Sequence, residues 1–446
     1  MKSIRTDRPF PLPDPVRVVL QRLNQAGHVA YIVGGSVRDF LLGREVKDHD
    51  IATDADPDRL EALFPESITV GKAFGVLKVP ISRLDPAFHG MEGTIEVATF
   101  REDLEYRDHR HPVRVRFAGL EEDARRRDFT INAFYFDPKT LRILDPVGGL
   151  VDLEANLIRA IGKPDLRFHE DALRLLRAIR FCHALGFTIE PETRSSIQAR
   201  ARLIGKISSE RIRDELTLML KSRDPRGAVS SLAEVGLLAH ILPRLDLLRR
   251  HIKDWQSTLE VLGALAPIQE PALGWAALFH RLARVDSDPA IDNPNAMAMA
   301  SAERAALHGE SLKLSSREIS MIRALITDLP KFREVFRMRD ATLQRWVREP
   351  HFEELLKLHR AEAISIDGNL AAWEFCSSLW KEFELKRKSG TLAEGKLLTG
   401  EDLIALGLKP GPQFTAYLRE VEDLVLEGKL TTKEEALEWI LKKVSD

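Results

Sequence analysis

Near residue 165 the hydrophobic periodicity of this 446-residue chain changes, and that change limits the folds open to it more than any other feature. Before it, apolar runs of strand length alternate with short helical stretches. HVAYIVGG, HDIAT, GTIEVATF and FYFDPKTLRILDP read as strands, SITVGKAFGVLKVP as a β-hairpin, and SVRDFLLG, DPDRLEALF and EEDARRRDFTINA as helices, with Asp56 as an N-cap and Pro57 in the first turn. After it, apolar residues recur at three- and four-residue spacing, as in EDALRLLRAIRF, ERIRDELTLML and EEALEWILKK. The pattern predicts an α+β fold, a mixed sheet with helices over residues 1–163 followed by an all-helical remainder. Polar breaks at 285–295 and 386–396 punctuate that remainder.

Charge narrows the partners. Lys and Arg total 66 against 68 Asp and Glu, a net charge of −2, which excludes a uniformly basic nucleic-acid coat. A polyanion would have to be met by a local stripe, because counterion release depends on how cations are arranged. Residues 159–181 supply one, with six Arg or Lys against three acids. No apolar stretch reaches the roughly 18 residues of a membrane helix, so no membrane partner is expected. The only cysteines, Cys182 and Cys376, lie too far apart in sequence for a disulfide framework or a cysteine zinc site. The chain reads as cytoplasmic, with no disulfide partner.

Gly34-Gly35-Ser36-Val37-Arg38, followed by Asp48-His49-Asp50, carries the chemistry. Two glycines at a strand-to-helix turn let phosphate oxygens approach backbone N–H groups, and Arg38 adds a charged donor. In a strand, Asp48 and Asp50 would face one side and His49 the other. Paired hard oxygens suit Mg²⁺, which binds through one or two carboxylates plus substrate phosphates. Glu96, between inward-facing Ile95 and Val97, is the expected third carboxylate.

GGSVRDFLLGREVKDHDIAT, EVATFR, RRDFTINA, LDPVGGLVDL and EDALRLLRAIRF resemble, in order and rough spacing, the successive motifs of class II CCA-adding tRNA nucleotidyltransferases and bacterial poly(A) polymerases. The resemblance implies a palm-type nucleotidyltransferase head (1–163) and a helical neck that recognises the nucleotide base (164–225). A helical body (226–385) and a helical tail for tRNA binding (386–446) would follow. It implies two-metal transfer with Mg²⁺ as cofactor and template-free addition of CCA from CTP and ATP to the tRNA 3′ end. Asp48 and Asp50 match the metal ligands, with Glu96 beside them as a catalytic carboxylate, and Gly34, Gly35 and Arg38 match the triphosphate turn. Arg127 would contact triphosphate and Asp128 the ribose hydroxyl, with Asn132 close by.

Glu170, Asp171 and Arg174 would share one helix face, Glu170 holding Arg174. Asp171 can accept from an exocyclic amino group and Arg174 can donate to ring acceptors. Cytosine and adenine share that amino-plus-acceptor pattern, whereas uracil and guanine carry a carbonyl there. Arg177 continues the stripe toward phosphate. REDLEYRDHRHPVRVRF, with Tyr106, Arg110 and Pro112, resembles the loop used by CCA-adding members to switch from C to A. Residues 70–77 lack the basic, aromatic signature of the poly(A) branch. ALFHRLARVD resembles the helix of a metal phosphohydrolase domain found in some relatives, but Arg281 follows His280 where a carboxylate is needed, so no second hydrolase activity is expected. Gly407, Pro410, Gly411 and Pro412 read as a turn between tail helices. The alternatives are partial CC-only or A-only addition, polyadenylation, and a non-catalytic RNA-binding protein.

Overall fold

A computed structural model of the chain describes residues 2–69, 75–106, 112–286, 293–389 and 397–445. Two compact units divide it, Met1–Pro243 and Arg244–Asp446.

The first unit is built on strands β1 (Lys2–Arg5), β2 (Ala30–Val33), β3 (Asp50–Thr53), β4 (Ile68–Thr69), β5 (Val76–Pro80), β6 (Thr94–Thr99), β9 (Tyr135–Asp137) and β10 (Arg142–Asp145), with β7 (Arg101–Tyr106) and β8 (Pro112–Phe117) forming a separate antiparallel ribbon. Among the described residues the sheet order is β1-β10-β9-β2-β3-β6-β5-β4. Only β3 and β6 run parallel, with Ile51 opposite Val97, and this pair sets Asp50 next to Glu96. Ile95 and Val97 are buried as their alternation requires, and Glu96 turns to the other face. Small residues Ala52 and Ala133 pack there with Val33, Phe100 and Tyr135.

Asp48 does not lie in a strand. The β2–β3 ladder ends where Val33 pairs with Asp50, because Gly34 (φ 76°) turns the partner chain into the helix Gly35–Leu41. His49 does point away, donating Nε2 to the Pro11 carbonyl at 2.7 Å. The helix predicted over EEDARRRDFTINA also breaks: it spans Leu120–Arg125. Beyond it, Thr130 donates its amide to the Arg159 carbonyl and Ile161 donates to Asp128, and this local pairing replaces further helical turns. Gly149 closes over this segment so tightly that a Cβ would sit 2.3 Å from the Thr130 carbonyl oxygen, which only glycine allows.

Helices follow at Pro164–Glu170, Leu173–Leu185, Pro191–Arg200, Ser209–Leu220 and Pro225–Glu234. One short strand interrupts them, β12 (Thr188–Ile189), parallel to β11 (Leu157–Ile158). The single helix predicted through Glu170, Asp171 and Arg174 is two helices. Asp171 is extended (φ −138°), and its carboxylate accepts the Leu173 amide at 3.1 Å, a local bond that competes with the helical one.

The second unit is helical, from Ile252–Leu265 to Lys433–Ser445, around buried Trp275, Phe279, Phe332 and Phe352. Near its end Leu403, Val421, Val425, Ala436 and Ile440 form a core of their own, and Gly407 to Pro412 make the predicted turn between Gly400–Ala405 and Pro412–Leu426. Both cysteines are free, and among the described residues no helix is long and apolar enough to cross a membrane. The C-to-A loop, including Arg110, falls mainly at 107–111 and the missing poly(A) signature mainly at 70–74, outside the described residues.

Candidate active site

One cleft in the first unit, of about 380 Å³, gathers Gly34, Gly35, Arg38 and Asp50 from the ends of the central strands β2 and β3 and the helix after β2, Arg127, Asp128 and Asn132 from the broken turn, and Asp171, Arg174 and Arg177 from the helical segment that follows. Residues up to 147 positions apart in sequence, Gly34 and Phe181, thus line one cleft. Asp48, Glu96 and Glu170 stand outside that lining.

At the glycine turn, buried Arg38 donates Nη1 to Asn132 at 2.6 Å and forks onto Asp39 at 2.8–3.0 Å. Burial pushes its guanidinium pKa down, Asp39 and Asp128 pulling the other way. Arg127 gives Nε and Nη2 to Asp123, and its Nη1 is the nearest atom to where a Gly34 Cβ would be, at 3.4 Å. A side chain at position 34 would therefore crowd the guanidinium that faces the glycine turn.

Asp50 stays open to solvent on one side, yet its carboxyl is pushed up to about 6. Withdrawal from water is the larger cause and the negative charge of Glu96 and Asp48 adds to it, against Arg127 and Lys78. Among the described residues no three acidic, His or Cys side chains form a ready metal cage. The donor chemistry nonetheless fits a divalent cation that takes one or two carboxylates and completes its shell with phosphate oxygens.

Asp128 links the turn to the helix Leu173–Leu185. Its Oδ1 accepts from Phe129 N and Asn132, and its Oδ2 accepts both Nε and Nη2 of Arg177 at 2.7–2.8 Å. Arg174 is held by Glu170 at 2.8 Å, as expected, and also donates to the carbonyls of Arg167 and Arg126. Asp171 is gripped by Arg211, Oδ1 at 3.2 Å and Oδ2 at 2.8 Å.

Two profiles match the chain: the "Poly A polymerase head domain" over residues 30–159 and the "Probable RNA and SrmB- binding site of polymerase A" over 186–248. The CCA-adding enzyme of Geobacillus thermodenitrificans is 37% identical over 377 residues, covering 79% of this chain and 84% of that one. That of Bacillus licheniformis is 33% identical over 430 residues, covering 95% and 96%. The chain belongs to the CCA-adding enzyme family. A solved member, the Bacillus stearothermophilus CCA-adding enzyme in complex with CTP, superposes with a TM-score of 0.73 at 28% identity, over 97% of this chain and 98% of that one.

Several residues in this CCA-adding family member escaped the sequence reading. Arg211 and Glu215, i and i+4 on the helix Ser209–Leu220, face the neck stripe: Arg211 holds Asp171, while Glu215 takes Arg180 at 2.6 Å and Arg177 at 3.6 Å. Their spacing in ERIRDEL was the only signal. Asp123 is a second hub, 1% exposed, accepting from Arg126, Arg127 and the Tyr135 hydroxyl. Phe181 lies under Arg38, Arg177 and Arg180, with guanidinium carbons 4.1–5.2 Å from its ring.

Burial alone would push the carboxyls of Asp123 and Asp128 up. Arg127, Arg126 and Tyr135 around the first, and Arg177, Asn132 and Arg174 around the second, outweigh it and hold each at about 2. A carboxyl lower in the folded state than its ordinary 3.8 contributes stability fully above about pH 4, and loses it as pH falls toward 2. Urea midpoints should therefore drop between pH 4 and pH 2. In Asp123→Asn that drop should be shallower, from a lower starting stability at neutral pH.

Proposed function

We propose that this enzyme adds CCA, without a template, to the 3′ end of tRNA from CTP and ATP, releasing pyrophosphate. The observation that carries the reading is the single cleft shared by a glycine turn, the Asp50 carboxylate, whose neighbours Glu96 and Asp48 raise its pKa, and an Asp171/Arg174 pair suited to a base edge. A binding module has no use for carboxylates that repel each other. Kinship with a CCA-adding enzyme solved with CTP supports the choice of nucleotide.

Gly34, Gly35, Arg38 and the free Nη1 of Arg127 cradle the triphosphate. Asp128 and Asn132 orient the ribose, and Asp171 with Arg174 reads the base edge. Arg177 fixes Asp128 and so keeps neck and head in register at the nucleotide. Asp48, Asp50 and Glu96 are the carboxylates that would hold Mg²⁺. When bound, the cation supplies charge stabilisation at the attacking 3′ oxygen and the leaving pyrophosphate. The functional division is a head at 1–163, a base-reading neck at 164–225, a body at 226–385 and a tRNA-binding tail at 386–446, in a cytoplasmic protein.

Transcripts ending at the discriminator base, at C and at CC, incubated with CTP, ATP or both, test this directly. Extension of the first transcript by CCA is the expected result. A stop after CC, activity only on the CC transcript, or long A tails would each replace the proposal with a different activity.

A further inference from the structure

The second unit carries a cavity that the head's reaction does not use. It encloses about 230 Å³ and is lined on its polar side by His280, Arg281, Arg284, Arg333 and Glu362. Ile326 and Leu329 form part of its apolar wall. Three guanidinium groups around one hollow repel each other unless anions answer them.

Among the described residues the protein's own anions answer only in part. Arg281 is fixed between Asp254 at 2.9 Å and Glu362 at 3.3 Å, and Arg284 reaches the same Asp254 oxygen at 3.7 Å. Arg333 has no ion pair among the described residues. Burial pushes the Glu362 carboxyl up, against Arg281 and Arg333, which weakens it as a counter-charge. His280 brings no negative charge: its Nδ1 donates to the Ala277 carbonyl and its Nε2 accepts from Arg281 Nε at 3.0 Å. Arg281 therefore fills with a fixed cation the space between two acids and a histidine, and Arg284 and Arg333 are left facing the hollow.

A second cavity of about 370 Å³ shares Leu329, Arg333 and Glu362 with the first. His359 lines it, stacked on Phe332 with ring centroids 3.8 Å apart, and both its ring nitrogens are buried without a partner. Buried polar atoms left bare cost about 1–3 kcal/mol each, so this wall too is built for something polar.

We propose that the first cavity is a phosphate-binding site, in which Arg284 and Arg333 grip a phosphate group and Arg281 forms the fixed wall. Guanidinium forks match phosphate oxygens in shape as well as charge. The volume suits a phosphate with a few waters, at about 30 Å³ of liquid volume per water, and falls short of the roughly 300–1,000 Å³ typical of drug-sized ligands. The group is supplied either by free phosphate or by an RNA backbone.

The test uses the full chain with its head cleft saturated by CTP, titrated calorimetrically with inorganic phosphate, beside the double variant Arg284→Gln/Arg333→Gln. Both side chains are exposed, so the variant should keep its unfolding midpoint and its kcat at saturating tRNA and CTP. Phosphate affinity should fall about tenfold or more, the loss of a single charge-assisted contact at 1.4 kcal/mol per decade. tRNA titrations over a salt series separate the sources. A weaker tRNA complex whose log–log salt slope falls by about one per lost contact identifies an RNA phosphate. Unchanged tRNA affinity with lost phosphate uptake identifies a free one. Equal phosphate uptake by both proteins overturns the proposal, as does an absence of uptake together with unchanged tRNA affinity.

Discussion

Replacing Asp48 or Asp50 by alanine should lower nucleotide addition by at least about a thousandfold while leaving tRNA affinity intact. Metal-held charge at the attacking and leaving oxygens is worth several kcal/mol, and each 1.36 kcal/mol is tenfold in rate. The same substitutions should not destabilise the fold. Asp48 and Asp50 are exposed, and the charges nearest Asp50 include Glu96 and each other, so removing one relieves repulsion. Thermal midpoints equal to or above the parent's are expected, with single-turnover rates and filter binding measured on the same preparations. Asp128 would be a poor choice for this test. Its removal takes the nearest carboxylate from Arg177 and leaves it Glu215 at 3.6 Å, a loss between the about 0–1 kcal/mol of an exposed pair and the about 3–5 of a fully buried one. Retained activity in Asp48→Ala would reduce the DHD segment to an ordinary strand end.

The glycine turn, the carboxylates and the neck stripe could be read from the sequence because each depends on local spacing. Gly34 needs a positive φ, Glu96 alternates with Ile95 and Val97, and Glu170 reaches Arg174 four residues on. What escaped depends on partners distant in the chain. Whether Asp48 continues the strand is decided by where β2 stops, at Val33. Asp171 breaks its helix because its side chain takes the Leu173 amide, and it stays there because Arg211, forty residues away, completes the grip. Asp123 looks like one more surface acid in EEDARRRD until Tyr135 folds over it. Helical periodicity says where a carboxylate points only while the helix continues, and here it ends twice, at Asp171 through its own side chain and after Arg125 through backbone pairing with residues 159–161.

The geometry at Asp171 makes the proposed base-reading role sharp enough to measure. Its Oδ1 accepts from both Leu173 N and Arg211, which uses both lone pairs, whereas Oδ2 accepts from Arg211 alone. One acceptor position remains, and the carboxylate cannot rotate to offer another. A single fixed acceptor takes the amino group of cytosine or adenine and meets the carbonyl of uracil or guanine with repulsion. Arg174 contributes less freedom than its five N–H groups suggest, since Glu170, Arg167 and Arg126 already hold both Nη atoms. A pairing of this kind discriminates by about 1–3 kcal/mol, so Asp171→Ala should shrink the preference for CTP over UTP by about tenfold to a hundredfold in kcat/KM. Arg211 is partly exposed, so losing its partner should move the unfolding midpoint little. Arg211→Gln separates reading from orientation: Asp171 keeps its charge but loses its grip, and selectivity should fall by less than in Asp171→Ala. An unchanged CTP/UTP ratio in Asp171→Ala would leave the pair as a structural salt bridge and return nucleotide choice to the shape of the cleft.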